Sequence, residues 1–243
     1  MMRGNIYVVG MGPGKESMMT GDALAVLDGA DLIVGYPVYL DQLGERFAKK
    51  EKYSTGMRQE KERCLYCIER AKEGKKVALV CSGDAGVYGM ASLMLELSEE
   101  ENDIEISVIP GITAALSGAA LLGAPLSHDF CVISLSDLLT PAEGIERRLR
   151  AAAEGDFVIV LYNPQSRNRS GYMKRAADIL MGSILGDRPC AYVKNIGREG
   201  EEAHICTLSE LGDADIDMFT TVFIGNSKTR IIKDKLVTPR GMV

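Results

Sequence analysis

The feature that most constrains the fold of this chain is a repeated order of elements. Short runs rich in β-branched residues recur at 6–9, 32–34, 77–81, 104–109, 131–134, 157–161, 191–193 and 222–224. Most are followed by a glycine-bearing loop and a helix-length segment, the helical patterns covering 23–27, 63–72, 87–99, 114–122, 143–153 and 172–180. This alternation predicts an α/β fold with largely parallel strands. Late in the chain the spacing tightens, and the glycine-rich turn at 197–200 returns the chain into a run at 203–206. That return reads as antiparallel pairing, so the N-terminal sheet is expected to be parallel and the C-terminal sheet mixed. Near the middle, an acidic run at 96–105 gives way to Ile109-Pro110-Gly111-Ile112-Thr113 and a small-residue helix. A domain boundary is expected there, dividing the chain into lobes 1–112 and 113–243, each of viable domain size. The tail from Asn226 carries no assignable pattern.

Composition narrows the function. With 28 Lys and Arg against 34 Asp and Glu, the formal charge is −6, which argues against nucleic acid as a partner. No apolar run reaches the roughly 18–20 residues that cross a bilayer, and the opening residues lead into a strand pattern rather than a signal peptide. A cytoplasmic protein with no membrane partner is expected. The six cysteines are spread over the whole length, which suits reduced thiols. Cys64 and Cys67 form a C-x-x-C, yet without a second pair or a nearby histidine they make a poor metal site, and no metal is expected. With 5 Phe, 9 Tyr and no Trp, a large flat ligand would rest mainly on aliphatic side chains and backbone.

Three loops carry the chemistry. Gly10-Met11-Gly12-Pro13-Gly14-Lys15 fails the dinucleotide fingerprint, which needs glycine at position 15. It also fails the phosphate-loop pattern, which needs glycine at 15 and lysine at 16. What survives is a backbone that a ligand can approach closely, or a tight strand-to-helix connection. Cys81-Ser82-Gly83-Asp84-Ala85-Gly86-Val87-Tyr88-Gly89 follows a strand, where ligands gather in open α/β sheets. Asp84 could accept hydrogen bonds from a ligand, or cap a helix beginning near Val87. In Ile109-Pro110-Gly111-Ile112-Thr113-Ala114-Ala115 and the following Ser117-Gly118-Ala119-Ala120, small residues permit close approach of another element or of an adenine ring. Thr113 could cap the helix or meet a ligand.

Together and in this order, these loops resemble the tetrapyrrole methylase family, enzymes that use S-adenosylmethionine in a two-lobed class III methyltransferase fold. The segment from His128-Asp129-Phe130 through Asp137-Leu138-Leu139-Thr140-Pro141, with 157–166, is similar to the family branch that methylates C17 of precorrin-3 or cobalt-precorrin-3 in cobalamin biosynthesis. The likeness covers the chain from Gly4 to about Gly225. It implies methyl transfer to C17 with contraction of the macrocycle, release of S-adenosylhomocysteine, and a homodimer. It further implies cofactor contacts at Pro13, Gly83, Asp84, Val87, Thr113, Ala114, Tyr162 and Asn163. A departure falls at Ala142, where many relatives are expected to carry tryptophan.

Methyl transfer from a sulfonium needs positioning more than a strong base. Ring contraction does need proton transfers, for which His128, Asp137 and Asp84 are the candidates. The macrocycle is ringed by carboxylates, so local positive charge is required on an acidic protein. Between 147 and 175 stand seven basic residues against Glu154 and Asp156, among them Arg147, Arg167 and Arg169, and Arg58 and Lys61 could contribute from the first lobe. Two other readings stay open at this point. One is a family member acting at another corrin carbon or on the diphthamide precursor, and the other is an adenosyl-binding module without catalysis.

Overall fold

A computed structural model describes residues 4–165 and 171–241. The chain divides into two compact units, residues 1–113 and 114–243, one residue beyond the boundary expected from the sequence.

The first unit runs β1 (Gly4–Gly10), α1 (Gly21–Gly29), β2 (Leu32–Gly35), α2 (Pro37–Leu40), β3 (Glu51–Ser54), α3 (Glu60–Lys72), β4 (Lys76–Cys81), α4 (Ala91–Leu97) and β5 (Ile104–Ile109). Its five strands form a parallel sheet in the order β3-β2-β4-β1-β5. Because successive side chains point to opposite faces, one apolar run feeds two cores. Ile6, Val8, Leu32, Val34, Val77 and Leu79 pack with α3 and α4, whereas Val9, Ile33, Ala78 and Val80 meet Ala23 and Leu27 of α1 and Phe47. Burial on both faces is why these strands read as continuous apolar segments rather than alternating ones. Thr20 caps α1 by accepting the Ala23 amide at 3.1 Å.

The second unit runs α5 (Ala114–Leu122), β6 (Gly123–Ala124), β7 (Phe130–Ser134), α6 (Ala142–Glu154), β8 (Val158–Tyr162), α7 (Tyr172–Met181), β9 (Pro189–Lys194), β10 (Glu202–Thr207), α8 (Leu208–Leu211), β11 (Thr220–Ile224), β12 (Arg230–Ile232) and β13 (Lys235–Val237). Strand order in its main sheet is β10-β9-β11-β8-β7. β7 and β8 are parallel while β8, β11, β9 and β10 pair antiparallel, the mixed sheet expected. Helices α6, α7 and α8 cover one face, with Leu149, Leu180, Leu211 and Ile159 in a shared core. On the other face Ala115, Ala119 and Leu236 meet Val160, Val193 and Phe223.

Two expectations need correction. The helix expected from Val87 begins at Ala91, because Tyr88 takes a left-handed φ of 53° that no helix interior accommodates. The tail from Asn226 is not featureless: β12 and β13 form a hairpin whose inner strand pairs with β6.

Candidate functional site

In the first unit β4, β1 and β5 are neighbours in the sheet, with Gly10 opposite Cys81 and Val9 opposite Ile109. Their carboxyl ends therefore lie together, and the three loops singled out in the sequence meet there. Met11 donates its amide to Cys81 O at 2.9 Å, and Gly12 and Gly83 exchange amide bonds of 2.9 and 2.7 Å. The approach is closest at Gly10 and Gly111. A Cβ on Gly10 would lie 2.7 Å from Gly111 N, and one on Gly111 would lie 2.1 Å from Gly83 O. Neither position admits a side chain without moving backbone, so the glycines serve contact between loops here. The loops are packed tightly where they cross, with Pro13 and Gly83 buried and Val87 half-buried.

Asp84 braces this junction. Its Oδ2 accepts the Gly111 amide at 2.9 Å and its Oδ1 accepts the Gly86 amide at 2.8 Å. It does not cap α4, which starts seven residues later at Ala91. With each oxygen accepting a backbone amide, this carboxylate ties the second and third loops together.

A second cluster forms at the carboxyl ends of β7 and β8 in the second unit. Parallel register sets Ser134 opposite Tyr162. The Tyr162 hydroxyl accepts the Ala115 amide at 2.6 Å, satisfying an N-terminal donor of α5 that has no partner within the helix. Asn163, held at φ 53°, donates its side-chain amide to Ser134 Oγ at 3.0 Å. Asp137 accepts a hydrogen bond from the Tyr172 hydroxyl. Both line a cavity of about 300 Å³ together with Leu135, Ala142, Ile145 and Arg175. The small side chain at 142 thus leaves space beside Asp137, in the place where the resemblance leads one to expect an indole.

His128 is not part of this cluster. It precedes β7, at the opposite end of the strand from Ser134, and five strand residues span roughly 17 Å. Its half-exposed ring accepts the neighbouring Asp129 amide through Nδ1 at 2.9 Å. The structure therefore separates His128 from Asp137 instead of pairing them. Thr113 and Ala114 sit at the start of α5, both half-buried.

The basic stretch is only partly available. Arg150 and Arg175 both pair with Glu146, whereas Arg147 stands exposed on α6. Arg167 and Arg169 lie outside the described residues. Arg58 and Lys61 line an open groove of about 620 Å³ in the first unit, together with Gln59 and Glu62. Its wall includes Tyr53 and Tyr66, stacked with ring centroids 3.7 Å apart, an aromatic surface that the lack of tryptophan did not foreshadow.

Cys64 and Cys67 are fully buried on α3, packed in one core with Cys81. Burial pushes the Cys64 thiol up to about 12, and it raises Cys67 as well. A thiol so disfavoured as thiolate is inert, and the C-x-x-C is core packing. Among the described residues no group of three His, Cys, Asp or Glu is arranged to hold a metal ion. Sequence reasoning missed Ser134 and Tyr172. Ser134 becomes visible only through the β7–β8 register, and Tyr172 through the placement of α7 beside the loop after β7.

Known proteins resemble this chain over most of its length. Residues 5–212 match the family described as Tetrapyrrole (Corrin/Porphyrin) Methylases. A Salmonella typhimurium protein named probable cobalt-factor III C(17)-methyltransferase is 48% identical over 237 residues, covering 97% of this chain and 98% of the relative. One from Sinorhizobium named precorrin-3B C(17)-methyltransferase is 40% identical over 248 residues, covering 98% and 97%. The crystal structure of the methyltransferase CobJ superposes with a TM-score of 0.92 at 38% identity, covering 97% of this chain and 100% of that one. A strand order, three interlocked glycine loops and a family match over most of the length agree, and the chain belongs to the tetrapyrrole methylases.

Proposed function

We propose that this protein is an S-adenosylmethionine-dependent methyltransferase of cobalamin biosynthesis, which methylates C17 of a cobalt-containing precorrin-3-level macrocycle and contracts its ring. The observation that carries this reading is full-length identity to proteins named for that step, 48% to the Salmonella typhimurium relative and 46% to one from Methanocaldococcus jannaschii. Both of these relatives are named for cobalt-factor III, which favours the cobalt-containing substrate.

The residues fit the cofactor. The loops that cross at Gly10, Gly83 and Gly111 leave small neutral groups such as Gly86 and Val87 accessible, of the kind that accept an adenosyl amino acid. Pro13, Gly83 and Val87 would contact it directly, with Asp84 acting by holding the loops in place. Thr113, Ala114, Tyr162 and Asn163 are assigned the same role from the resemblance. When bound, S-adenosylmethionine supplies a methyl group already activated by its sulfonium. The protein's task is then to orient C17 in line with that methyl and to exclude water.

Ring contraction forms the C1–C19 bond and displaces C20 from the ring. For its proton transfers Asp137 is the better placed carboxylate, since the Tyr172 hydroxyl orients it at the edge of the 300 Å³ cavity. Arg58, Lys61 and Arg147 would meet the peripheral carboxylates, and the stacked Tyr53 and Tyr66 offer a flat apolar neighbour to the macrocycle. Six free cysteines suit a cytoplasmic setting, and a homodimer is proposed from the family.

The test is incubation of the purified protein with S-adenosylmethionine carrying a ¹³C-labelled methyl group and a C20-methylated precorrin, with and without cobalt. A ring-contracted product labelled at C17, formed faster from the cobalt-containing substrate, is the expected outcome. Label at any other carbon, or cofactor binding with no turnover, would overturn the assignment. Sedimentation analysis tests the dimer.

A further inference from the structure

Arg63 lies on α3 with only 3% of its surface exposed, in a stripe with Cys67 and Ala71 that faces the core. Burying a guanidinium is costly unless its charge and donors are matched. Among the described residues no carboxylate pairs with Arg63, and its buried Nε has no acceptor. Nη2 donates to the carbonyls of Thr55 and Gly56, both at 3.0 Å. Nη1 reaches Met90 Sδ at 3.4 Å. A core position on α3 would be filled at lower cost by leucine or methionine, so this cation is retained for what its donors hold.

What they hold is the turn that presents Arg58. The Gly56 amide donates to Gln59 Oε1 at 2.6 Å, and the Thr55 hydroxyl donates to Gln59 O at 3.3 Å. Inside the turn Arg58 adopts φ 67°, a left-handed conformation that a residue with a side chain keeps only where its surroundings over-determine it. Arg58 and Lys61 line the 620 Å³ groove beside the stacked tyrosines. Met90, the third contact, closes the loop that carries Gly83 and Asp84.

We propose that Arg63 is a positioning residue for substrate. It locks the 55–59 turn from beneath so that Arg58 and Lys61 meet carboxylates of the macrocycle in fixed geometry. This rests on the proposed function in taking a carboxylated tetrapyrrole as the anionic ligand.

The experiment measures affinity for uroporphyrin, a macrocycle bearing eight carboxylates, by fluorescence titration, alongside the Kd for S-adenosylhomocysteine and the melting temperature. Arg63→Met keeps most of the buried stem and removes the donors and charge. It is expected to weaken uroporphyrin binding about tenfold, the scale of one charge-assisted contact, with the S-adenosylhomocysteine Kd within about twofold of wild type. Arg63→Lys is expected to recover less than half of that loss, since an ammonium cannot span two carbonyls and the thioether. In an Arg58→Ala background Arg63→Met is expected to add little further loss, because positioning acts through Arg58. Equal losses in both backgrounds, or a lowered melting temperature with unchanged uroporphyrin affinity, would overturn the proposal. Should Arg63→Met fail to fold, Gln59→Ala releases the same turn from the exposed side and must weaken binding in an Arg58-dependent way. Wild-type affinity in Gln59→Ala would then refute it. Turnover by the wild-type enzyme tests the proposed function separately, so failure of one is distinguishable from failure of the other.

Discussion

Asp84 stands in a loop where its chemistry suits two duties, a ligand or catalytic contact and a brace between loops. Flanked by glycines at a strand end, it reads as a ligand contact or a base, but each of its oxygens already accepts a backbone amide. Asp84→Asn keeps the size and turns one acceptor into a donor facing an N–H. Loss of one charge-assisted bond predicts destabilisation of about 1–3 kcal/mol, read as a lowered urea midpoint, with cofactor affinity falling in parallel. A catalytic base would instead lose kcat at unchanged stability, and that outcome would restore the original reading. The same logic separates His128 from Asp137. His128→Asn is expected to change turnover less than about twofold, whereas Asp137→Asn should lower kcat by about two orders of magnitude or more if it moves protons. A large kcat loss in His128→Asn would show that position along β7 is a poor guide to participation.

At the scale of elements, the buried strands were legible because burial on both faces forces unbroken apolar runs, as in 77–81 and 158–161. The edge strands β5, β7 and β10 were legible too, whereas β3 and the β12–β13 hairpin were not. β3 is Glu51-Lys52-Tyr53-Ser54 with three exposed residues, so it lacks the apolar signature and is defined by its pairing with β2. The β12–β13 hairpin is legible only in space. Its outer strand is exposed, and it is fastened by Leu236 and by Thr229, whose hydroxyl meets that of Thr238 at 2.7 Å. The site followed the same rule. Glycine loops after strands announced themselves, while contacts that depend on register, such as Asn163 to Ser134, did not. In α5 the small residues left two readings open, a ligand ring or tight packing. The structure assigns Gly118 to packing, since a Cβ there would stand 2.8 Å from Phe223 Cζ on β11 and 3.1 Å from Ile196. Gly118→Ala is therefore expected to destabilise by about 1–3 kcal/mol through overpacking despite the better helix propensity of alanine. A thermal melt at or above wild type would mean that the sheet yields more readily than its burial suggests.

Across the whole molecule, titration is expected to be lopsided. The carboxylates held below their usual range by cationic partners, Asp28 beside Arg46 and Asp215 beside Lys194, belong to solvent-exposed ion pairs that salt screens and that add little stability. Acid should therefore remove little through these pairs. The thiols behave differently because they lie inside both units. Burial pushes Cys81 and Cys131 up to about 11 and Cys64 and Cys206 up to about 12, and it raises Cys67 and Cys190 also. An unfolded chain would begin to release these protons near the ordinary thiol value of 9.0, while the folded chain retains them. Above that pH the unfolded state binds fewer protons than the native state, so unfolding becomes more favourable as pH rises. The thiol contribution is thus fully present well below pH 9 and is lost on the way to the folded values near 11 and 12. Urea midpoints measured at pH 7, 8 and 10.5 should be nearly level over the first interval and fall over the second. Replacing Cys64 and Cys206 by alanine should flatten that fall while lowering stability at neutral pH through the space each sulfur leaves. An alkaline fall of unchanged steepness in that variant would assign it to other groups.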